Sequence, residues 1–146
     1  MQICITYYSK FGNNMTIADY LTKKLRADKH RVLVYALNEI KPAEMPEAQI
    51  YLFSTPIKKG KLPRKFRKVL SKLQLPSQDA SIAMIATSYE DPDNALQELT
   101  KALEGHNLPH SAPGLVLQSE SFKGGMKPGW EEKIDAFYDT IIPKEG

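Results

Sequence analysis

This chain has one cysteine, Cys4, so a disulfide within it is excluded. The residue sits in the apolar run Ile3-Cys4-Ile5, the setting of a buried structural thiol rather than a reactive one. No apolar run approaches the roughly 18–20 residues that a membrane-crossing helix needs, so no membrane span is expected. Met1 leads within two residues into a strand-like run, which argues against a secretory leader. With the lone thiol, this makes a reducing, cytoplasmic setting the expectation.

Catalytic signatures are missing too. There is no G-x-x-x-x-G-K-[ST] run, which argues against a P-loop nucleotidase, and no G-x-G-x-x-G after the first strand, which argues against a dinucleotide-binding domain. That strand ends Thr6-Tyr7-Tyr8 without a carboxylate, so the acidic magnesium cluster of a receiver domain is absent, as is a Cys-x5-Arg phosphatase loop. The histidines His30, His106 and His110 lie before strands or at a helix end, and no convergence of metal ligands can be argued. Glu90, Asp91 and Asp93 read as a polar turn. No catalytic side chain and no metal are expected.

Negative charge is lacking in one stretch. No acidic residue falls between Ser54 and Gln78, whereas Lys58, Lys59, Lys61, Arg64, Lys65, Arg67, Lys68 and Lys72 do. The whole chain is only mildly basic, net charge +3 and pI about 8.9, so nucleic acid is not an expected partner.

What is present is enough for one core: 146 residues, 42% apolar, read as a single domain over 1–146. Short apolar, β-rich runs predict strands at Gln2–Tyr8, Arg31–Leu37, Gln49–Ser54, Ser81–Ala86 and Ala112–Gln118. Helical spacing predicts helices at Asn14–Ala27, around Phe66, Val69, Leu70 and Leu73, through Leu96, Leu99, Ala102 and Leu103 up to Gly105, and at Trp130–Ile142. Lys41–Ala48 reads as a proline-bearing loop and Ser119–Gly129 as a long glycine-rich one. Strands that are apolar throughout and alternate with helices imply a parallel sheet covered on both faces.

In such sheets ligands bind beyond the C-terminal strand ends. Three loops there are rich in hydroxyls, amides and glycine: Ser9–Asn14, Thr55–Gly60 and Thr87–Asn94. In the first, a hydroxyl, Gly12 and backbone N–H groups at a helix start can cradle a dianion, and Asn14 can equally cap the helix.

The run I-T-Y-Y-S-K-F-G-N-N-M-T-I-A-D-Y-L resembles the opening of flavodoxins, a strand entering a [ST]-x-T-G-x-T phosphate loop. Ser9, Lys10, Phe11, Gly12, Asn13 and Asn14 fall on that loop; Phe11 and Asn14 stand where the family has Thr. F-S-T-P-I-K-K-G-K-L-P is similar to the family's segment beside the isoalloxazine ring. The resemblance implies that Thr55, Pro56, Ile57, Lys58, Lys59 and Gly60 adjoin FMN, with Ile57 on one ring face and the Gly60 N–H directed at the ring. Thr87, Ser88, Tyr89 and Glu90 match the third flavin loop, and Tyr89 would stack on the outer face. S-F-K-G-G-M-K-P-G-W more weakly resembles the flavodoxin-like protoporphyrinogen oxidases.

The fold so implied is an α/β flavodoxin-like one, an open doubly wound five-stranded parallel sheet of order 2-1-3-4-5 in three α/β/α layers. The function implied is electron transfer through noncovalent FMN. The basic stretch would make the reduced, anionic flavin easier to form and recruit a redox partner with an acidic docking surface or an anionic substrate such as a carboxylate-bearing porphyrin. Alternatives are a flavoenzyme resembling the protoporphyrinogen oxidases and a flavin-free binding module that uses the basic loop.

Overall fold

The computed structural model describes residues 1–76, 79–105, 114–121 and 123–142, and only the backbone over 103–105. His106, His110 and the expected strand start at Ala112 lie outside the described residues. The elements in chain order are β1 (Gln2–Tyr7), α1 (Asn13–Ala27), β2 (Arg31–Ala36), β3 (Ile50–Ile57), α2 (Arg64–Ser71), β4 (Ser81–Ser88), α3 (Pro92–Gly105), β5 (Leu115–Ser121), β6 (Gly124–Met126) and α4 (Trp130–Ile141). Two single 3-10 turns, Leu37–Glu39 and Pro42–Glu44, fill the connection from β2 to β3.

The strands form one six-stranded sheet of order β2-β1-β3-β4-β5-β6. The first five are parallel to their neighbours, as expected. The sixth corrects the five-stranded expectation: Gly124–Met126 folds back antiparallel on β5, pairing Ser121 with Gly124 and Ser119 with Met126. Three residues carrying two glycines have almost no strand signature of their own, and the pairing exists only because β5 supplies an edge.

Alternation along the strands splits the core into two layers. Ile3, Ile5, Leu52 and Ile85 face Ile17, Leu21 and Leu25 of α1 and Ile134, Phe137 and Ile141 of α4. Cys4, Tyr51, Phe53 and Met84 face Phe66 and Leu70 of α2 and Ala95 and Leu99 of α3. A period of two in the strands and of 3.6 in the helices is what makes each face continuous. Phe53 and Phe66 meet edge to face at 5.7 Å, and burying one such ring stabilises the fold by about 1.5–3 kcal/mol. Across the other layer, Tyr20 meets Trp130 edge to face at 5.3 Å, and the Tyr20 hydroxyl donates to Asp135.

Two strands outrun their sequence signals. β3 continues through Thr55, Pro56 and Ile57, and β4 through Thr87 and Ser88, because the two pair with each other to the end: Thr55 with Ala86, Pro56 with Thr87, Ile57 with Ser88. Proline is tolerated because β1 pairs with β3 only as far as Ser54, so the β1-side edge beyond it needs no N–H from Pro56. Likewise α3 begins at Pro92, so Asp93 and Asn94, expected in the third loop, lie in its first turn.

Cys4 is 1% exposed, and burial pushes its thiol up to about 11 from 9.0. A raised folded-state value means the contribution to stability is complete below pH 9.0 and is lost as pH rises toward about 11. At pH 8 iodoacetamide is expected to leave the folded chain unmodified and to add one label in urea, read by intact mass. Rapid labelling without denaturant would contradict a buried thiol.

Candidate functional site

The loops after β1, β3 and β4 gather at one end of the sheet, and the β5–β6 hairpin closes the fourth side. Between them lies a cleft of about 540 Å³, within the roughly 300–1,000 Å³ of small-molecule sites.

In the first loop Gly12 adopts φ +95° and is the residue from which α1 starts. The Ser9 hydroxyl oxygen accepts the Gly12 N–H at 3.0 Å, and the Thr16 hydroxyl donates to the Gly12 carbonyl at 3.0 Å. This fixes the loop without using the first-turn N–H groups. Those of Asn13, Asn14 and Met15 have no acceptor among the described residues. With the helix dipole behind them they form a donor set for an anion.

Asn14 does not cap the helix and does not turn its amide to the loop. It is 2% exposed; its amide donates to the Ser54 hydroxyl at 3.0 Å and its carbonyl accepts from the Thr87 hydroxyl at 3.3 Å. One buried side chain thus ties α1 to the ends of β3 and β4. Asn13 makes a different tie: its carbonyl accepts the Gly125 N–H at 3.0 Å and its amide reaches the Gly125 carbonyl at 3.4 Å. The hairpin is held onto the first loop by that pair.

In the second loop Lys58 and Lys61 exchange both backbone hydrogen bonds, at 3.1 and 3.0 Å. Lys59 (φ +52°) and Gly60 (φ +71°) between them are both left-handed, the pattern of a tight I′ hairpin turn. In the third, Tyr89 is 51% exposed at the mouth.

Of the residues singled out from sequence, Lys10, Phe11, Asn13 and Asn14 line the cleft, as do Pro56, Ile57, Lys58 and Lys59, and Thr87, Tyr89 and Glu90. Ser9, Gly12, Thr55, Gly60 and Ser88 do not. Ser9 and Gly12 shape the loop from behind. Thr55 is fully buried and donates its hydroxyl to the Pro56 carbonyl. Ser88 is 3% exposed. Sequence reasoning missed Tyr8, Pro63, Ser119, Ser121 and Gly124, which also line it. For Ser119, Ser121 and Gly124 the glycine-rich stretch Ser119–Gly129 was the only signal, since serines and glycines name no ligand until a hairpin brings them to the cleft. Among the described residues no group of three or more His, Cys, Asp or Glu side chains could hold a metal ion, so Glu90, Asp91 and Asp93 do not form one.

A three-layer α/β fold whose parallel strands run 2-1-3-4-5, with a cleft beyond their C-terminal ends, is the flavodoxin fold. Solved structures agree. Oxidised Flavodoxin 2 from Bacillus cereus superposes with a TM-score of 0.75 at 20% identity, over 97% of both chains. Oxidised Flavodoxin 1 from the same organism gives 0.75 at 14% identity over 100% of both. Rubredoxin oxygen:oxidoreductase from Desulfovibrio gigas gives 0.76 at 11% identity over 96% of this chain, which spans only 35% of that protein. The sequence matches no family model and no curated protein. Likeness at these identities is likeness of fold. No helix among the described residues is long and apolar enough to cross a membrane.

Proposed function

We propose that the cleft binds FMN noncovalently and that the chain is a flavodoxin-type redox protein. One observation carries the reading: Asn13 and Asn14, at the start of α1 where the first-turn N–H groups are without an acceptor among the described residues, line the same cleft as the apolar and aromatic wall of Pro56, Ile57 and Tyr89. The two halves match the two halves of the molecule, a phosphate and a flat aromatic ring.

The residues fit this group through the backbone rather than through the family's threonine hydroxyls. The N–H groups of Asn13, Asn14 and Met15 would hold the phosphate, with the Lys10 ammonium nearby on the cleft wall. Ile57, 5% exposed, and Tyr89 would bracket the ring. Ser119 and Ser121 add hydroxyls on the hairpin side. When bound, FMN supplies the electron chemistry, and the protein's share is orientation, exclusion of water and the local charge. Lys58 and Lys59 bring positive charge to the lining, partly balanced by Glu90.

The test is a titration followed by desalting. FMN is expected to stay with the protein, with its fluorescence quenched. Riboflavin, which lacks the phosphate, is expected to bind about tenfold or more weakly, since hydrogen bonds to a charged acceptor contribute about 1.5–3 kcal/mol. A protein that loses FMN on desalting, or holds riboflavin equally well, is not an FMN protein of this design.

A further inference from the structure

The segment from Lys58 to Lys72 makes no sense as a device for stability. Lys58, Lys59, Lys61, Arg64, Lys65, Arg67, Lys68 and Lys72 are all exposed, and none forms an ion pair among the described residues. Arg64 and Lys65 occupy the first turn of α2, where the helix dipole disfavours positive charge and no acidic residue stands. Arg64–Lys68 and Lys68–Lys72 are like charges four residues apart, and Arg64–Arg67 and Lys65–Lys68 three apart, spacings that repel. The helix stays in place through Phe66 (0% exposed) and Leu70 (3%). At 3.6 residues per turn, the basic side chains of α2 fan over about 160° of its surface, opposite those two.

The cluster also has a position. It starts at Lys58 and Lys59, on the cleft wall, and continues down the outer face of α2, a helix of about 12 Å. We infer that this belt is the docking surface for an acidic protein, which it holds against the mouth of the cleft. A small anionic substrate needs charges that converge, and these diverge. A single nucleic acid strand held through its bases needs aromatic rings interleaved with the charges, and the one ring of α2, Phe66, is buried. An acidic protein surface matches a broad, convex, cationic face by complementarity alone. That the docked protein exchanges electrons rests on the flavin reading; the docking does not.

The experiment uses a fluorescently labelled acidic [2Fe–2S] ferredoxin as probe, its anisotropy read against the full chain with and without added FMN. Binding is expected at about 10 mM salt and should weaken tenfold or more at about 100 mM, as the Debye length falls from about 30 to about 10 Å. Arg64→Glu/Lys68→Glu should weaken it at least tenfold at low salt, and Arg64→Gln/Lys68→Gln by an intermediate amount. Lys23→Glu/Lys133→Glu, the same change in net charge on exposed positions of α1 and α4, should leave it within twofold. Folding of each variant is checked by circular dichroism. Failure of the ferredoxin to bind at low salt overturns the inference. Equal loss in the α1/α4 variant does so too, since net charge alone would then explain it. So does displacement of the ferredoxin by a short oligo-dT that binds more tightly, which would make the belt a nucleic-acid surface. Retention of FMN, measured separately, decides the flavin reading whichever way docking falls.

Discussion

Replacing Asn14 with alanine is expected to lower stability by about 2–4 kcal/mol, because two buried hydroxyls lose their partner at once and each such loss costs about 1–3 kcal/mol. The hydroxyls are those of Ser54, 1% exposed, and Thr87, 4% exposed. The vacated amide leaves a small polar void between α1, β3 and β4. For a chain of this length, 1 kcal/mol corresponds to roughly 2–4 °C, so the midpoint of thermal unfolding should fall by about 5–15 °C. Urea unfolding gives the free energy directly. A loss below about 1 kcal/mol would mean that the hydroxyls find other partners and that Asn14 is not the tie described. The double variant Asn14→Ala/Thr87→Val separates the terms. It should be less destabilised than the sum of its parts, since with both ends of the Asn14–Thr87 pair removed only the Ser54 hydroxyl is left unsatisfied.

Replacing Gly124 with alanine is expected to weaken FMN binding tenfold or more while costing the fold only about 1–3 kcal/mol of backbone strain. The backbone there sits at φ +116°, and a Cβ would lie 3.2 Å from the Phe11 carbonyl oxygen and 3.3 Å from the Phe11 Cβ. The methyl therefore pushes the hairpin off the first loop, against the hold of Asn13 on Gly125, and widens the cleft. Gly129→Ala is the control. Its φ of +93° brings similar strain, but its Cβ would meet nothing within 4 Å, so FMN binding should be unchanged. If the two variants bind FMN alike, the hairpin does not shape the site. If both lose FMN, the effect belongs to global stability.

Binding and stability thus depend on different parts of the same end of the sheet. Asn14 acts between elements, at the cleft floor; Gly124 acts at a contact between two loops. All three loops were legible as candidate site loops in the sequence, and the roles of the first were redistributed by folding. Asn14, which from its place in the motif could cap the helix or face a phosphate, is drawn inward because Ser54 and Thr87 need a partner more than exposed N–H groups do. Thr55 turns away for a related reason: β3 continues past Ser54, and strand alternation carries that side chain into the core.

The sequence by itself determined the alternation of strands and helices, the two buried faces and the positions of the three loops. These rest on local periodicity, which is written residue by residue. It also determined the unbroken run of positive charge, a matter of composition. Only the tertiary structure decided where β3 and β4 stop, that Gly124–Met126 is a strand, and that Ser119, Ser121 and Tyr8 reach the cleft. Two of those depend on a partner distant in the chain, β4 for β3 and Asn13 for Gly125, 112 residues away; the β5–β6 pairing is local, and two glycines in three residues hide it. Pairing across such separations has no local signature, because the free energy that fixes it is released only when the two segments meet.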